Sequence, residues 1–130
     1  MTTHPDAYVL VLPAPTEWLR SNDRRHRMAA AAITKKWREA AAWRARQARI
    51  PRIDQPVHIT LIIHRADRRK ADAPNSWPSC KAAIDGLVDA GVLADDDDTH
   101  VLSTTFQPGE VVRGSQLTIV IRMAQAKEIA

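Results

Sequence analysis

The stretch QPVHITLIIHR, residues 55–65, constrains the fold most. Val57, Ile59, Leu61 and Ile63 fall on one side of an extended chain, and His58, Thr60, Ile62 and His64 on the other, because successive side chains of a strand point to opposite faces. One face of such a strand must be core, so a packed layer has to be built against it. AYVLVLP (7–13) is a second run rich in β-branched residues, closed by proline. VLSTTFQ (101–107) and QLTIVIRM (116–123) read as two further strands, expected to form a hairpin around PGEVVRGS (108–115).

Two helical stretches separate these strands. From Met28 to Ile50 the residues are mostly Ala, Lys, Arg, Glu and Gln, with Ile33, Trp37, Ala40 or Ala41, and Arg44 at helical spacing before Pro51 stops the run. After the basic loop ADRRKADAPN, Ser76 can cap a helix that has Pro78 in its first turn, where a missing N–H costs little. Trp77, Cys80, Ile84, Leu87 and Val88 form its apolar stripe, and Gly91 stands where a left-handed C-terminal cap is wanted. The order β-α-β-α-β-β predicts an α/β fold of the mixed α+β kind: a small mixed four-stranded sheet covered by two helices, one domain over residues 1–130.

Charge is unevenly distributed along this framework. Fifteen of the nineteen Lys and Arg residues lie between Arg20 and Lys70, and seven of the fifteen acids between Asp72 and Asp98. A one-sided basic distribution suits either a solvated helix face or a polyanionic partner, whose condensed counterions are released on contact. PAPTEWLRSNDRRHRM (13–28) reads as a long, basic, exposed connection. The longest apolar run, inside VHITLIIH, is too short to span a bilayer, so no membrane partner is expected. Without a secretory leader pattern, and with Cys80 unable to form an internal disulfide, the expected location is cytoplasmic.

The acidic run Asp95 to Asp98 is either a solvated loop or part of a hard-cation site. It is not an EF-hand loop, since counting from Asp95 the sixth position is His100 and the twelfth Phe106. Asp72 sits just before the second helix, whose far end leads into this run. Lys81 and Asp85 are one turn apart on that helix, either as a surface ion pair or as members of the same site. Oxygen ligands with a lysine suit Mg²⁺-dependent phosphodiester hydrolysis, in which the cation activates water and the lysine offsets phosphate charge. The run Arg65, Arg68, Arg69 and Lys70 would position a DNA backbone beside it. His58 and His64 suit structural roles, while His26 and His100 could touch phosphate. Trp37 and Trp77 look like core, with base stacking as the alternative, and Trp18 is the better placed to meet nucleic acid.

Residues 68–101 resemble the RusA-type Holliday junction resolvases, small homodimeric Mg²⁺-dependent endonucleases of bacteria and their phages. The resemblance rests on Asp72-Ala-Pro-Asn75, then Lys81-Ala-Ala-Ile-Asp85-Gly-Leu87, Gly91, Asp95-Asp96 and Val101. The opening LPAPTEWLRSNDRRHRM and TKKWREAA also look like that family's N-terminal part. The resemblance implies Asp72, Lys81 and Asp96 as catalytic residues, Asp72 and Asp96 as ligands of Mg²⁺ or Mn²⁺, branched DNA as substrate and a homodimer as the working unit. Where the pattern has a second aspartate this chain has Pro74, and either Asp85, Asp95 or Asp97 is expected to supply the missing carboxylate, with Asp85 taken as the metal ligand, or a single metal suffices. Arg24, Arg25, Arg27, Arg68, Arg69 and Lys70 are the expected backbone contacts. The rival expectation is a branched-DNA-binding protein that has lost catalysis with the second aspartate.

Overall fold

The computed structural model describes residues 6–68 and 73–128. Strands β1 (Ala7–Pro13), β2 (Val57–His64), β3 (Val101–Pro108) and β4 (Gln116–Met123) form one sheet, and helices α1 (Arg27–Gln47) and α2 (Trp77–Asp89) pack on it. Short 3-10 turns precede α2 at Ala73–Ser76 and follow β4 at Ala126–Glu128. The fold is the expected mixed α/β arrangement in the order β-α-β-α-β-β.

The strand order is β1-β4-β2-β3, with β4 antiparallel to both β1 and β2, and β3 parallel to β2. The hairpin expected between the last two strands is therefore absent. Leu117, Ile119 and Ile121 of β4 are fully buried on one face and Thr118 is buried on the other, while the edges of its backbone pair with β1 on one side and β2 on the other. Ser103, Thr105 and Gln107 leave β3 suited to an edge. A parallel partner requires a long crossover, and α2 supplies it between β2 and β3.

Residues 109–115, in place of a hairpin turn, run across the end of β2. The amides of Gly109 and Val112 donate to the carbonyls of Ile63 and Arg65, each at 2.9 Å, and the Ser115 hydroxyl donates to the His64 carbonyl at 2.7 Å. The crossing is close: a Cβ at Gly109 would stand 2.5 Å from the His64 ring.

Leu10, Leu12, Val57, Ile59, Leu61, Ile63, Leu117, Ile119 and Ile121 face the helices and meet Ile33, Trp37, Ala41, Ala45, Cys80, Ala83, Ile84 and Leu87 in one core. Arg44 lies outside that core, and its guanidinium donates to the Val11 carbonyl at 3.0 Å on the edge of β1. The two helices cross at Gly86, where a Cβ would lie 2.3 Å from the Arg38 carbonyl oxygen and 3.0 Å from the Ala41 Cβ.

Helix α2 ends as its sequence predicts. Gly91 adopts φ 79°. Its amide donates to Val88 while that of Val92 donates to Leu87, the paired bonds that close a helix with a left-handed glycine. Ser76 occupies the N-cap position without a side-chain capping bond, and Pro78 lies in the first turn as expected.

Candidate functional site

Four-residue spacing on α2 places Lys81 and Asp85 on one face. Asp85 Oδ1 accepts a hydrogen bond from Lys81 Nζ at 2.6 Å, and the same ammonium donates to Asp96 Oδ2 from the loop that follows the helix. Three of the residues singled out in the sequence thus meet at one nitrogen, with the side chains of Asp85 and Asp96 each mostly covered. The Lys81 ammonium holds the Asp96 carboxyl below the usual carboxylate range, against a smaller opposing effect of burial. For Lys81, burial pulls downward, but the hydrogen bonds it donates to Asp85 and Asp96, with their negative charges, outweigh it and the ammonium is held above its ordinary value.

The remaining aspartates of the run have separate tasks. Asp95 Oδ1 accepts from the Asp96 amide at 2.7 Å and so fixes the backbone that aims Asp96 at Lys81. Asp97 folds the turn into β3: its Oδ1 accepts from the Thr99 hydroxyl and from His100 Nδ1, both at 2.6 Å, and from the amides of both residues. Bonding to Thr99, then to His100, brings the Asp97 carboxyl down to about 2. Asp98 is exposed. The run is thus neither a uniform solvated loop nor a cluster of four convergent ligands.

Asp72, Arg69 and Lys70, all expected in the site, lie outside the described residues. Among the described residues, no group of three or more His, Cys, Asp and Glu side chains is arranged to hold a metal ion. The pair of Asp85 and Asp96 nevertheless has the chemistry Mg²⁺ selects, since that ion commonly takes one or two carboxylates and completes its shell with water and phosphate oxygens. Their two oxygens share the Lys81 ammonium, which a metal ion would have to displace from between them, since like charges repel at this range.

The basic N-terminal connection is laced to the start of α2. The Leu19 amide donates to Ser79 Oγ at 2.7 Å and the Ser21 amide to the Asn75 carbonyl at 2.8 Å, while Asn75 Nδ2 donates to Asn22 Oδ1 at 3.3 Å. This ties residues 19–22, just ahead of Arg24, Arg25 and Arg27, to the start of α2. Arg24, Arg27 and Arg68 are exposed. Arg25 differs: its guanidinium contacts Asp23 at 2.7 Å and Glu17 at 2.9 Å, and these bonds raise its pKa further. Ser79, which the sequence reading passed over, is fully buried and forms the principal anchor of this connection. A serine inside an apolar helical stripe was its one signal.

Several aromatic and histidine expectations change. Trp37 is fully buried as expected, with its indole N–H donating to the Glu17 carbonyl at 2.9 Å. Trp18 is packed against it at 4.4 Å between ring centroids and donates to Ser115 Oγ at 2.7 Å, so it is a structural residue rather than one presented to nucleic acid. Trp77 is 36% exposed, not core, and meets only Phe106 among the aromatic rings of the described residues. His26 Nδ1 accepts from the Met28 amide at the N-terminus of α1. His64 is buried, with Nδ1 against the Glu110 carbonyl and Nε2 against the Thr118 hydroxyl, a structural role as expected. Cys80 is core, and burial pushes its thiol up to about 12.

A groove of about 560 Å³ lined by residues that include Tyr8, Arg52, Asp54 and Met123 contains none of these site residues. No helix of the described residues is long and apolar enough to cross a membrane. The sequence matches no known protein-family pattern and no curated protein.

Proposed function

We propose that this chain is a divalent-metal-dependent endonuclease of the RusA type, which cuts four-way or otherwise branched DNA by water attack on the phosphodiester. The observation that carries the reading is the convergence of Lys81, Asp85 and Asp96 on one face of α2, beside a helix end to which a basic connection is bonded. Asp85 and Asp96, with Asp72, would hold Mg²⁺ or Mn²⁺. The chemistry such a cation supplies when bound is neutralisation of the phosphate and activation of the attacking water.

The protein's own groups do the remaining work. Lys81 donates hydrogen bonds to a non-bridging phosphate oxygen or to the departing 3′ oxygen, where negative charge grows as the bond breaks. Asp95 and Asp97 keep the loop folded so that Asp96 stays aimed at the helix. Arg24, Arg27 and Arg68, with Arg69 and Lys70, contact backbone phosphates and set register without reading sequence. Arg25 acts through Asp23 and Glu17 by shaping that loop. A homodimer acting inside a bacterial or phage-infected cell completes the reading, because two copies related by a two-fold axis present two such sites to opposite strands of a junction.

A second reading is favoured by Pro74, which is exposed in the 3-10 turn at Ala73–Ser76 where the resembled pattern carries an aspartate. In that reading the chain binds branched DNA and Lys81 permanently serves as the counter-charge of Asp85 and Asp96. Cleavage of a labelled four-way junction and a matched duplex, with Mg²⁺ and with EDTA, separates the two. The first reading expects Mg²⁺-dependent cutting of the junction that Asp96→Asn abolishes. Tight junction binding with no cutting under Mg²⁺ or Mn²⁺ would transfer the assignment to the second.

A further inference from the structure

Trp77, Lys81 and Asp85 follow one another at four-residue spacing on α2, so they form a single stripe along the helix. Trp77 stands one turn, about 5.4 Å of rise, from the residue proposed to meet phosphate. It is 36% exposed. Phe106 of the edge strand β3 supports it, with ring centroids 5.8 Å apart and planes at 79°. A near-perpendicular contact of that kind cannot cover both faces of an indole.

We infer that Trp77, propped by Phe106, is the stacking platform for an unpaired nucleobase next to the phosphate engaged by Lys81. The inference rests on the nucleic-acid reading above and deepens it. One ammonium, Lys81, faces the carboxylates of Asp85 and Asp96, and the chain bonded to the start of the helix leads into the exposed Arg24 and Arg27, cations that suit a polyanion carrying aromatic rings. A nucleobase is joined to its phosphate through one sugar, a span comparable to the single turn separating Trp77 from Lys81. Bases inside a duplex are stacked on both sides and costly to withdraw, whereas a nucleotide at a branch point is already partly unstacked. Aromatic stacking of this kind accepts any base, which fits a site that selects DNA by shape.

The test uses the full chain in EDTA, so that binding is observed without cutting. The probes are a four-way junction carrying 2-aminopurine at each crossover nucleotide in turn and a matched linear duplex. Wild type is expected to bind the junction and to quench 2-aminopurine at one crossover position. Trp77→Leu, which keeps bulk without the aromatic face, should lose that quenching and weaken junction binding roughly 10-fold. Trp77→Phe should retain most of both, and near-UV circular dichroism verifies the fold of each variant. Unchanged affinity and quenching in Trp77→Leu overturns the platform while leaving the DNA reading in place. Loss of self-association in sedimentation, with DNA affinity unchanged, assigns the indole to a second copy of the chain and also overturns it. Failure of the wild type to bind the junction at low salt removes both readings together.

Discussion

Lys81 is the residue on which the site turns. Its ammonium is shared between Asp85 and Asp96, and it is the principal reason that Asp96 ionises more readily than a free carboxylate. In a Lys81→Met variant the Asp96 pKa is expected to rise towards or above its ordinary 3.8, a change that carboxyl-carbon NMR titration reads directly. The sign follows from linkage: a depressed native pKa contributes stability that is present above the unfolded value and is lost as pH falls through the native one. The variant should therefore lose that contribution and unfold less steeply on the acid side. Lys81 and Asp85 were legible together, because four residues is one helical turn. The meeting with Asp96 needed the resemblance, and the different duties of Asp95 and Asp97 could not be read at all. Four identical letters carry no information about which carboxylate turns back on the chain and which turns outward.

Between elements, the tightest constraint is the crossing of α1 and α2. Alanine is normally favoured over glycine in a helix by about 1 kcal/mol, yet at Gly86 a methyl group would run into the backbone of α1. Gly86→Ala is expected to destabilise the protein by about 1–3 kcal/mol, measurable as a lower midpoint in urea with little change in slope. The hydrophobic alternation of each strand was visible in the sequence, as were the proline start and glycine stop of α2. Strand neighbours were not. Two adjacent apolar runs separated by turn residues look like a hairpin, but which strand edges pair is set by backbone hydrogen bonds that leave no mark on the side-chain pattern. The same limit applies to Trp77, whose place on an apolar stripe suggested core while the edge position of β3 leaves it partly uncovered.

The bonds of Leu19 and Ser21 to Ser79 and Asn75 tie the chain just ahead of Arg24 and Arg27 to the start of α2. If this surface lies on DNA, the logarithm of affinity should fall linearly with the logarithm of salt. Each phosphate contact removed should then reduce that slope by about 1. Replacing Arg24, Arg27 and Arg68 together with Ala is expected to flatten the slope by about 3, whereas Arg25→Ala, whose charge is met by Asp23 and Glu17, should barely change it while lowering thermal stability. An unchanged slope in the triple variant would move the DNA surface elsewhere. The strand order also has a consequence in time. Since β4 is last among the strands and separates β1 from β2, a chain emerging from the ribosome can pair β2 with β3 early but must carry β1 outside the sheet until residues 116–123 arrive.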